Sequence, residues 1–287
     1  MKYITLNELN TTIRNNIYKV PRDVEFIIGI PRSGMLVATI IAEFLNIPLI
    51  DIDSFCLGSI PTGGNRLTMR TYTLTNKVLV MDDTVYSGNS IKVAKDKLKD
   101  YSYNFIYGCA YLEGPGEKEL DFYLEDVRKY TKQFPNVIYE WNVFHHWPHI
   151  SRHTMYDIDG VFCVNPPDER NTEEYERYIK DAIPLFIPTV PIGKIVTYRL
   201  MKYQDITKQW LAIQGIRYDQ IYMFDANSWD ERNETNITPE MMKGYAYKKD
   251  DSMFLFIESD DRQAMMIHQI SGKPVLCVET NYLYGGE

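Results

Sequence analysis

Two pairs of carboxylates are spaced so that they could do chemistry together. Asp82-Asp83 follows the apolar run Val78-Leu79-Val80-Met81 and precedes Thr84, Val85, Tyr86, Ser87, Gly88, Asn89 and Ser90. Adjacent carboxylates at a strand's end suit a polyhydroxylated ring, accepting hydrogen bonds from neighbouring hydroxyls. The small hydroxyl residues around Gly88 then open a helix, and the amides of that turn make a nest for a phosphate monoester. Asp157-Ile158-Asp159-Gly160 is spaced differently: a strand delivers Asp157, Asp159 points the same way, and Gly160 permits a sharp turn. There one carboxylate can attack phosphorus while the other donates and then accepts a proton, and both help to hold Mg²⁺.

Each pair has companions in chain order. Gly29-Ile30-Pro31-Arg32-Ser33-Gly34 sits between a strand and a helix, so Arg32, Ser33 and Gly34 offer amides and one basic side chain to an anion. Gly63-Gly64-Asn65-Arg66 lies in a polar stretch between strands. Downstream of Asp159, the strand at Ile195-Val196 ends in Thr197 and Arg199, and Lys243 supplies a further cation. Phe254 to Ile257 then runs into Glu258-Ser259-Asp260-Asp261, an acidic end suited to Mg²⁺, with Glu258 and Asp260 both candidate ligands.

The elements that must carry these residues alternate. Strands are expected at 24–30, 77–81 and 105–112, with helices from Gly34 to about Leu45 and from Ser90 to Lys99. A charged helix is expected over 117–130 and a strand near 137–141. After Trp147-Pro148-His149 the rhythm restarts: strands at 154–158, 194–197, 220–224, 254–257 and 274–278, and helices at 172–183, 203–214 and 262–271. The reading is α/β, as two three-layer domains of mostly parallel strands, residues 1–148 and 149–287.

Composition narrows the function. The chain has 287 residues, and 31 Lys+Arg against 39 Asp+Glu give a net charge of −8. A globally basic nucleic-acid binder is excluded, so no nucleic-acid partner is expected. Four scattered cysteines give neither a zinc pattern nor a secreted disulfide framework. The N-terminus has no apolar signal core, and the stretch 35–50 is broken by Thr39, Glu43 and Asn46. A cytoplasmic protein without an integral membrane segment is expected.

The segment Val78 to Ser90 resembles the signature of type I phosphoribosyltransferases, which bind 5-phosphoribosyl-1-diphosphate (PRPP) with Mg²⁺. The resemblance covers roughly residues 1–115. It implies that Asp82 and Asp83 hold the ribose hydroxyls and that residues 84–90 hold the 5′-phosphate. It further implies that Arg32, Ser33 and Gly34 grip the diphosphate and that Arg66 closes over it. Thr84 and Tyr86 depart from the usual pattern, which bears on the acceptor. Asp82, Asp83, Asp51 and Asp53 are all candidates for a base, if the acceptor needs one. Residues 152–287 resemble the four motifs of the haloacid dehalogenase (HAD) superfamily. That likeness implies Asp157 as nucleophile, Asp159 as general acid/base, Thr197, Arg199 and Lys243 as phosphate binders, and Asp157, Asp159 and Glu258 or Asp260 around Mg²⁺.

The spans from Asp159 to Thr197 and from Thr197 to Lys243 leave little room for a large cap, and an open site suits a bulky substrate. Together the halves resemble bacterial proteins that transfer phosphoribose to a glycan and then remove the 5-phosphate, leaving ribofuranose. The expected partners are PRPP and a glycan or lipid-linked glycan acceptor, with a homodimer expected only from family habit. Nucleobase salvage and a PRPP-binding regulator are the alternatives.

Overall fold

In the computed structural model, residues 1–64, 75–130, 137–145, 148–167 and 172–286 are described. The chain divides into two compact units, Ile4–Val137 and Met1–Tyr3 with Ile138–Glu287. The sequence division at 148/149 falls a short way inside the second. The opening strand β1 (Lys2–Ile4) gives its Tyr3 to the core of that unit, beside Ile138 and Val143.

In the first unit, α1 (Leu6–Asn16) is closed by a capping box in which Thr5 and Glu8 satisfy each other's backbone amides. There follow β2 (Phe26–Gly29), α2 (Gly34–Leu45), β3 (Leu49–Asp51), α3 (Ile52–Cys56), β4 (Lys77–Val85), α4 (Asn89–Leu98), β5 (Asn104–Leu112) and β6 (Phe122–Asp126). The sheet runs β3-β2-β4-β5-β6, with every pair parallel. Val78, Leu79, Val80 and Met81 are fully buried, as expected of a central parallel strand covered on both faces. Helix α2 turns Gly34, Val37, Ala38, Ile41 and Ala42 inward, and α4 buries Ile91, Ala94 and Leu98, each a one-sided helical stripe.

The strand order places a topological switch point between β2 and β4. The chain leaves β2 to build β3 on one side, then returns to lay β4 on the other. Ligands of open α/β sheets bind where two neighbouring strands diverge in this way.

The helix expected over 117–130 is not formed. Pro115–Glu119 makes a short 3₁₀ turn, and Phe122–Asp126 is β6, the parallel edge strand beside β5. Gly114-Pro115-Gly116 supplies no helical start, and the apolar residues here pack on a sheet edge: Leu124 is buried and its neighbours are half-exposed.

In the second unit the elements are β7 (Val137–Tyr139), α5 (Pro148–Ser151), β8 (Thr154–Tyr156), α6 (Thr172–Asp181), β9 (Ile192–Leu200), α7 (Gln204–Ile213), β10 (Tyr218–Phe224), α8 (Trp229–Glu234), α9 (Pro239–Lys248), β11 (Leu255–Glu258), α10 (Asp261–Ser271), β12 (Val275–Cys277) and β13 (Tyr282–Tyr284). The larger sheet runs β10-β9-β8-β11-β12-β13, parallel except for the last pair. A switch point recurs here, between β8 and β11. No helix among the described residues is long and apolar enough to cross a membrane.

Candidate functional site

The first switch point gathers the Asp82 segment and the Arg32 loop. Strand β4 runs further than its apolar core, through Asp82, Asp83 and Thr84 to Val85. Gly29 of β2 pairs with Met81, and the Ile30 amide donates to the Met81 carbonyl at 2.9 Å, so the loop after β2 starts level with Asp82. The next peptide, Pro31–Arg32, is cis. Arg32 is exposed and Ser33 half-exposed. Gly34 has a packing requirement: a Cβ there would meet the Met81 carbonyl at 2.7 Å and the Asp82 Cα at 3.0 Å. Only glycine lets α2 begin this close to the carboxylates.

Asp82 and Asp83 are each 6% exposed. Asp82 accepts from the Asp83 amide at 2.9 Å and from Ser90 Oγ at 2.6 Å. Burial, reinforced by the Asp83 charge, pushes Asp82 up to about 7. Ser90 therefore orients a carboxylate as well as opening α4, a link that the loop's sequence does not announce. Past Val85 the chain exposes Tyr86, Ser87 and Asn89 and turns at Gly88, whose φ of 79° is left-handed. The residues after β5 hold this turn from behind. The Glu113 amide donates to the Val85 carbonyl at 2.9 Å, and the Gly116 amide to the Tyr86 carbonyl at 2.8 Å. The Tyr86 ring lies against Gly114, whose added Cβ would come within 2.6 Å of the ring.

Of the other acids considered as a base, Asp51 caps α3 through the amides of Asp53 and Ser54. Asp53 is ion-paired with Lys97. Both are engaged in holding α3 and α4. Arg66 lies outside the described residues.

The second switch point assembles a cluster with almost no solvent. Asp157 follows β8 and Glu258 ends β11. Lys243 of α9 donates to Asp157 Oδ2 and to Glu258 Oε2, each at 2.7 Å, and to Gln263 Oε1 at 2.9 Å. The remaining carboxylate oxygens accept from backbone: Asp157 Oδ1 from the Ile158 amide at 2.8 Å, Glu258 Oε1 from the Ser259 amide at 2.8 Å. Burial raises Asp157 to about 7 even though the Lys243 charge opposes it. Burial would also depress Lys243, yet its two carboxylate partners more than reverse this and hold it well above its usual range.

Asp159 is held by a different cation. Arg199 approaches it with Nε, at 3.2 and 3.1 Å from the two carboxylate oxygens, and with Nη2; Tyr178 donates to Oδ1 at 2.7 Å. The Arg199 side chain is fully buried. Burial acts to raise Asp159, but the Arg199 charge and these hydrogen bonds take it below the usual carboxylate range. Arg199, expected to bind phosphate, lines the cavity and holds Asp159 with its guanidinium. Thr197 is fully buried, with Oγ1 3.4 Å from the Arg199 amide. Asp260 caps α10, accepting from the Gln263 amide at 2.7 Å, which leaves Glu258 as the acid in the cluster. Gly160, at φ 76°, allows Ser259 to close in and donate to the Asp159 carbonyl at 3.0 Å. A cavity of about 280 Å³ opens over this cluster, lined also by Tyr175 and Tyr198.

Tyr178 and Gln263 are members of the cluster that pattern reading passes over. Tyr178 sits in a helix so charged that it reads as a solvated face. Its signal is the pair Tyr175 and Tyr178, one turn apart on the inward stripe.

The fit of Mg²⁺ to the second cluster rests on its donors. Three carboxylates meet two buried cations, a net charge of −1 before any ligand arrives. Mg²⁺ uses one or two carboxylates plus water and phosphate oxygens rather than an all-protein cage. Among the described residues no three His, Cys, Asp or Glu side chains form such a cage. Asp157 and Glu258 fit the two-carboxylate arrangement. Asp159, expected as a third ligand, fits less well, since Arg199 and Tyr178 hold its carboxylate. In the first site, the metal would travel with the diphosphate near Asp82, Asp83 and Arg32.

The fold and the first site thus define an α/β domain with a Gly88 turn and two buried carboxylates at a sheet switch point. The chain belongs to the phosphoribosyl transferase domain family, whose model matches residues 5–150, just over half of it. The chain is also similar to several solved structures. The orotate phosphoribosyltransferase of Aeropyrum pernix is 16% identical, covering 43% of this chain and 71% of that one, with a TM-score of 0.32. The xanthine-guanine-hypoxanthine phosphoribosyltransferase of Helicobacter pylori is 18% identical over 50% and 93%, with a TM-score of 0.34. The purine phosphoribosyltransferase of Pyrococcus horikoshii is 18% identical over 51% and 95%, with a TM-score of 0.35. No curated protein matches the sequence.

Proposed function

We propose that this protein is a bifunctional enzyme: it transfers 5-phosphoribosyl from PRPP to a glycan acceptor and then hydrolyses the 5-phosphate, leaving ribofuranose. The observation that carries the second activity is the Asp157–Lys243–Glu258 cluster at a switch point, in the same chain as a phosphoribosyltransferase domain. One product phosphate and one phosphate-attacking geometry belong to consecutive steps.

In the transfer step the C1–diphosphate bond breaks as an acceptor hydroxyl oxygen bonds to C1, and the hydroxyl proton passes to the departing diphosphate or to solvent. Asp82 and Asp83 hold the ribose hydroxyls while positive charge develops on the ring, and Arg32 with the loop amides receives the departing diphosphate. The turn at residues 86–90 holds the 5-phosphate through its amides, already braced by residues 113–116. Bound Mg²⁺ supplies charge neutralisation to the phosphate oxygens at each site.

In the hydrolytic step an Asp157 oxygen attacks phosphorus and the phosphorus–sugar oxygen bond breaks, giving an aspartyl phosphate and a free sugar hydroxyl. Water then attacks that phosphorus and releases phosphate, regenerating Asp157. Lys243, whose three N–H groups go to Asp157, Glu258 and Gln263, fixes the Asp157 carboxylate and adds a positive charge beside the phosphoryl group. Asp159, kept ionised by Arg199 and Tyr178, would take the proton of the attacking water in the second step, and the sugar oxygen takes its proton from solvent in the first.

Two features support a glycan acceptor. The cavity beside the diphosphate loop, about 310 Å³, combines Ile30, Pro31, Ile52, Val93 and Ala94 with Asp53, Asn89, Ser90 and Lys97, and among the described residues no aromatic side chain lines it. The second cluster lies in an open cavity that admits a bulky ester. The test is incubation with Mg²⁺-PRPP and a panel of sugar and nucleobase acceptors, with products weighed by mass spectrometry. Wild type should give a ribosylated glycan, and Asp157→Asn a product heavier by one phosphate. Transfer to a nucleobase and to no sugar overturns the glycan reading, and binding of PRPP without turnover leaves a regulator.

A further inference from the structure

A second cavity, of about 350 Å³, lies alongside the acidic cluster in the second unit, and its lining differs in kind. The two are neighbours along two elements. On β9, Tyr198 and Arg199 line the cluster cavity and the next residue, Leu200, lines the second. On α6, Tyr175 lines the first and Thr172, one turn earlier, lines the second. A molecule whose phosphate meets Asp157 and Lys243 therefore has this cavity as the adjacent space for its remainder.

The lining pairs flat apolar surface with hydrogen-bonding groups. Trp229, at the start of α8, keeps 40% of its surface exposed, a large indole face left toward solvent. Tyr203 and Leu200 form a buried apolar wall. Lys202 places its ammonium 4.6 Å from the Tyr203 ring centroid, and Asp230 and Thr172 add a carboxylate and a hydroxyl. The volume lies within the range of about 300–1,000 Å³ usual for small-molecule sites. Sugar rings present C–H faces that pack on an indole and hydroxyls that donate to a carboxylate or accept from an ammonium. A flat heterocycle would use the indole but leave most of the polar lining without a role.

We propose that this cavity is the subsite for the organic part of the phosphate ester cleaved at the acidic cluster, and that it takes a sugar ring. The proposal rests on the reading of that cluster as a phosphatase. In it Trp229 supplies the stacking face and Lys202 and Asp230 fix the hydroxyls. Neither Trp229 nor Asp230 belongs to the phosphate-cleaving set.

The test is steady-state hydrolysis of ribose 5-phosphate by the full chain, with inorganic phosphate as competitive inhibitor and adenosine 5′-monophosphate as rival substrate. Trp229→Ala and Asp230→Ala should each raise KM for ribose 5-phosphate about tenfold. The inhibition constant of inorganic phosphate should stay within about twofold, which general damage to the fold would not allow, and Trp229→Phe should restore most of the loss. An unchanged KM, or an equal loss for ester and inorganic phosphate, overturns the subsite while wild-type hydrolysis keeps the phosphatase reading standing. A Trp229-dependent preference for adenosine 5′-monophosphate overturns the sugar assignment. Wild type that neither hydrolyses ribose 5-phosphate nor binds inorganic phosphate overturns the phosphatase reading, and the subsite with it.

Discussion

Lys243 Nζ lies 2.7 Å from an oxygen of Asp157, a residue 86 positions earlier in the chain, and all three charged members of its bridge to Glu258 are buried. A buried cation between two buried carboxylates is costly to remove, because it leaves both anions without compensation. Lys243→Met should cost about 3–5 kcal/mol of stability, read as a lowered urea midpoint. The loss should shrink at pH 5, where the two carboxylates of the variant can take up protons. A cost under about 1 kcal/mol would mean that water already compensates these charges.

Gly116→Ala tests the brace behind the phosphate turn. A Cβ at residue 116 would stand 2.6 Å from the Gly88 amide nitrogen and 2.8 Å from the Ser87 carbonyl carbon, both backbone atoms that cannot swing aside. The turn must shift, and displacements of that size at a binding loop cost up to about a hundredfold. PRPP affinity measured by calorimetry should fall by at least about tenfold, while phosphate release from ribose 5-phosphate, the reaction proposed for the other unit, should be retained. Wild-type affinity in the variant would show that the brace does not set the turn's geometry.

Asp82 gives the first site a pH dependence. Its carboxyl sits near 7 in the folded protein, and on the proposed reading it accepts a ribose hydroxyl best in the charged form. PRPP affinity should therefore rise as pH passes upward through about 7, and Asp82→Asn should flatten that rise. Stability runs the opposite way. The folded state holds this proton more tightly than the unfolded chain, so between about pH 4 and 7 the Asp82 contribution to stability falls as pH increases. An affinity profile identical in wild type and Asp82→Asn excludes this carboxylate as the titrating group.

Arg199 and Tyr178 should matter to hydrolysis and not to transfer. Arg199→Lys keeps the charge but loses the planar fork that grips Asp159. Tyr178→Phe removes one hydrogen bond to the Asp159 carboxylate, worth about 1.5–3 kcal/mol for a charged acceptor. Each should lower the hydrolytic kcat by about tenfold or more and leave diphosphate release from PRPP unaltered. Equal losses in both reactions would point to unfolding instead.

Asp82-Asp83 and Asp157-Ile158-Asp159 were readable because strand, acid and glycine follow one another within a dozen residues, and local order alone puts the acids at a sheet edge. The difference between Glu258 and Asp260 was not readable: one ends β11 and the other lies two residues on, and only the structure shows that Asp260 caps α10 while Glu258 pairs with Lys243. Arg199 misled for a related reason, since a cation beside a phosphate motif looks like a ligand until its guanidinium is found buried against Asp159. Residues 117–130 misled through their charge, because an edge strand exposing one side carries the same residues as a solvated helix. Eight of the 22 tyrosines are buried, and Tyr111, Tyr156, Tyr175 and Tyr247 are among the largest fully buried side chains.

The pairing of β8 with β11 joins Thr154 to Leu255. Asp157 thus acquires its partner Glu258 only after about a hundred further residues have left the ribosome, and β12 must then cover the far side of β11. Tyr3, made almost first, also waits for that core. The phosphoribosyltransferase unit has all of its strands by Asp126. During synthesis, at about 5–20 residues per second, the transferase half can fold while the hydrolytic half is still being made. The order of the two proposed reactions is then also the order in which their sites come into existence.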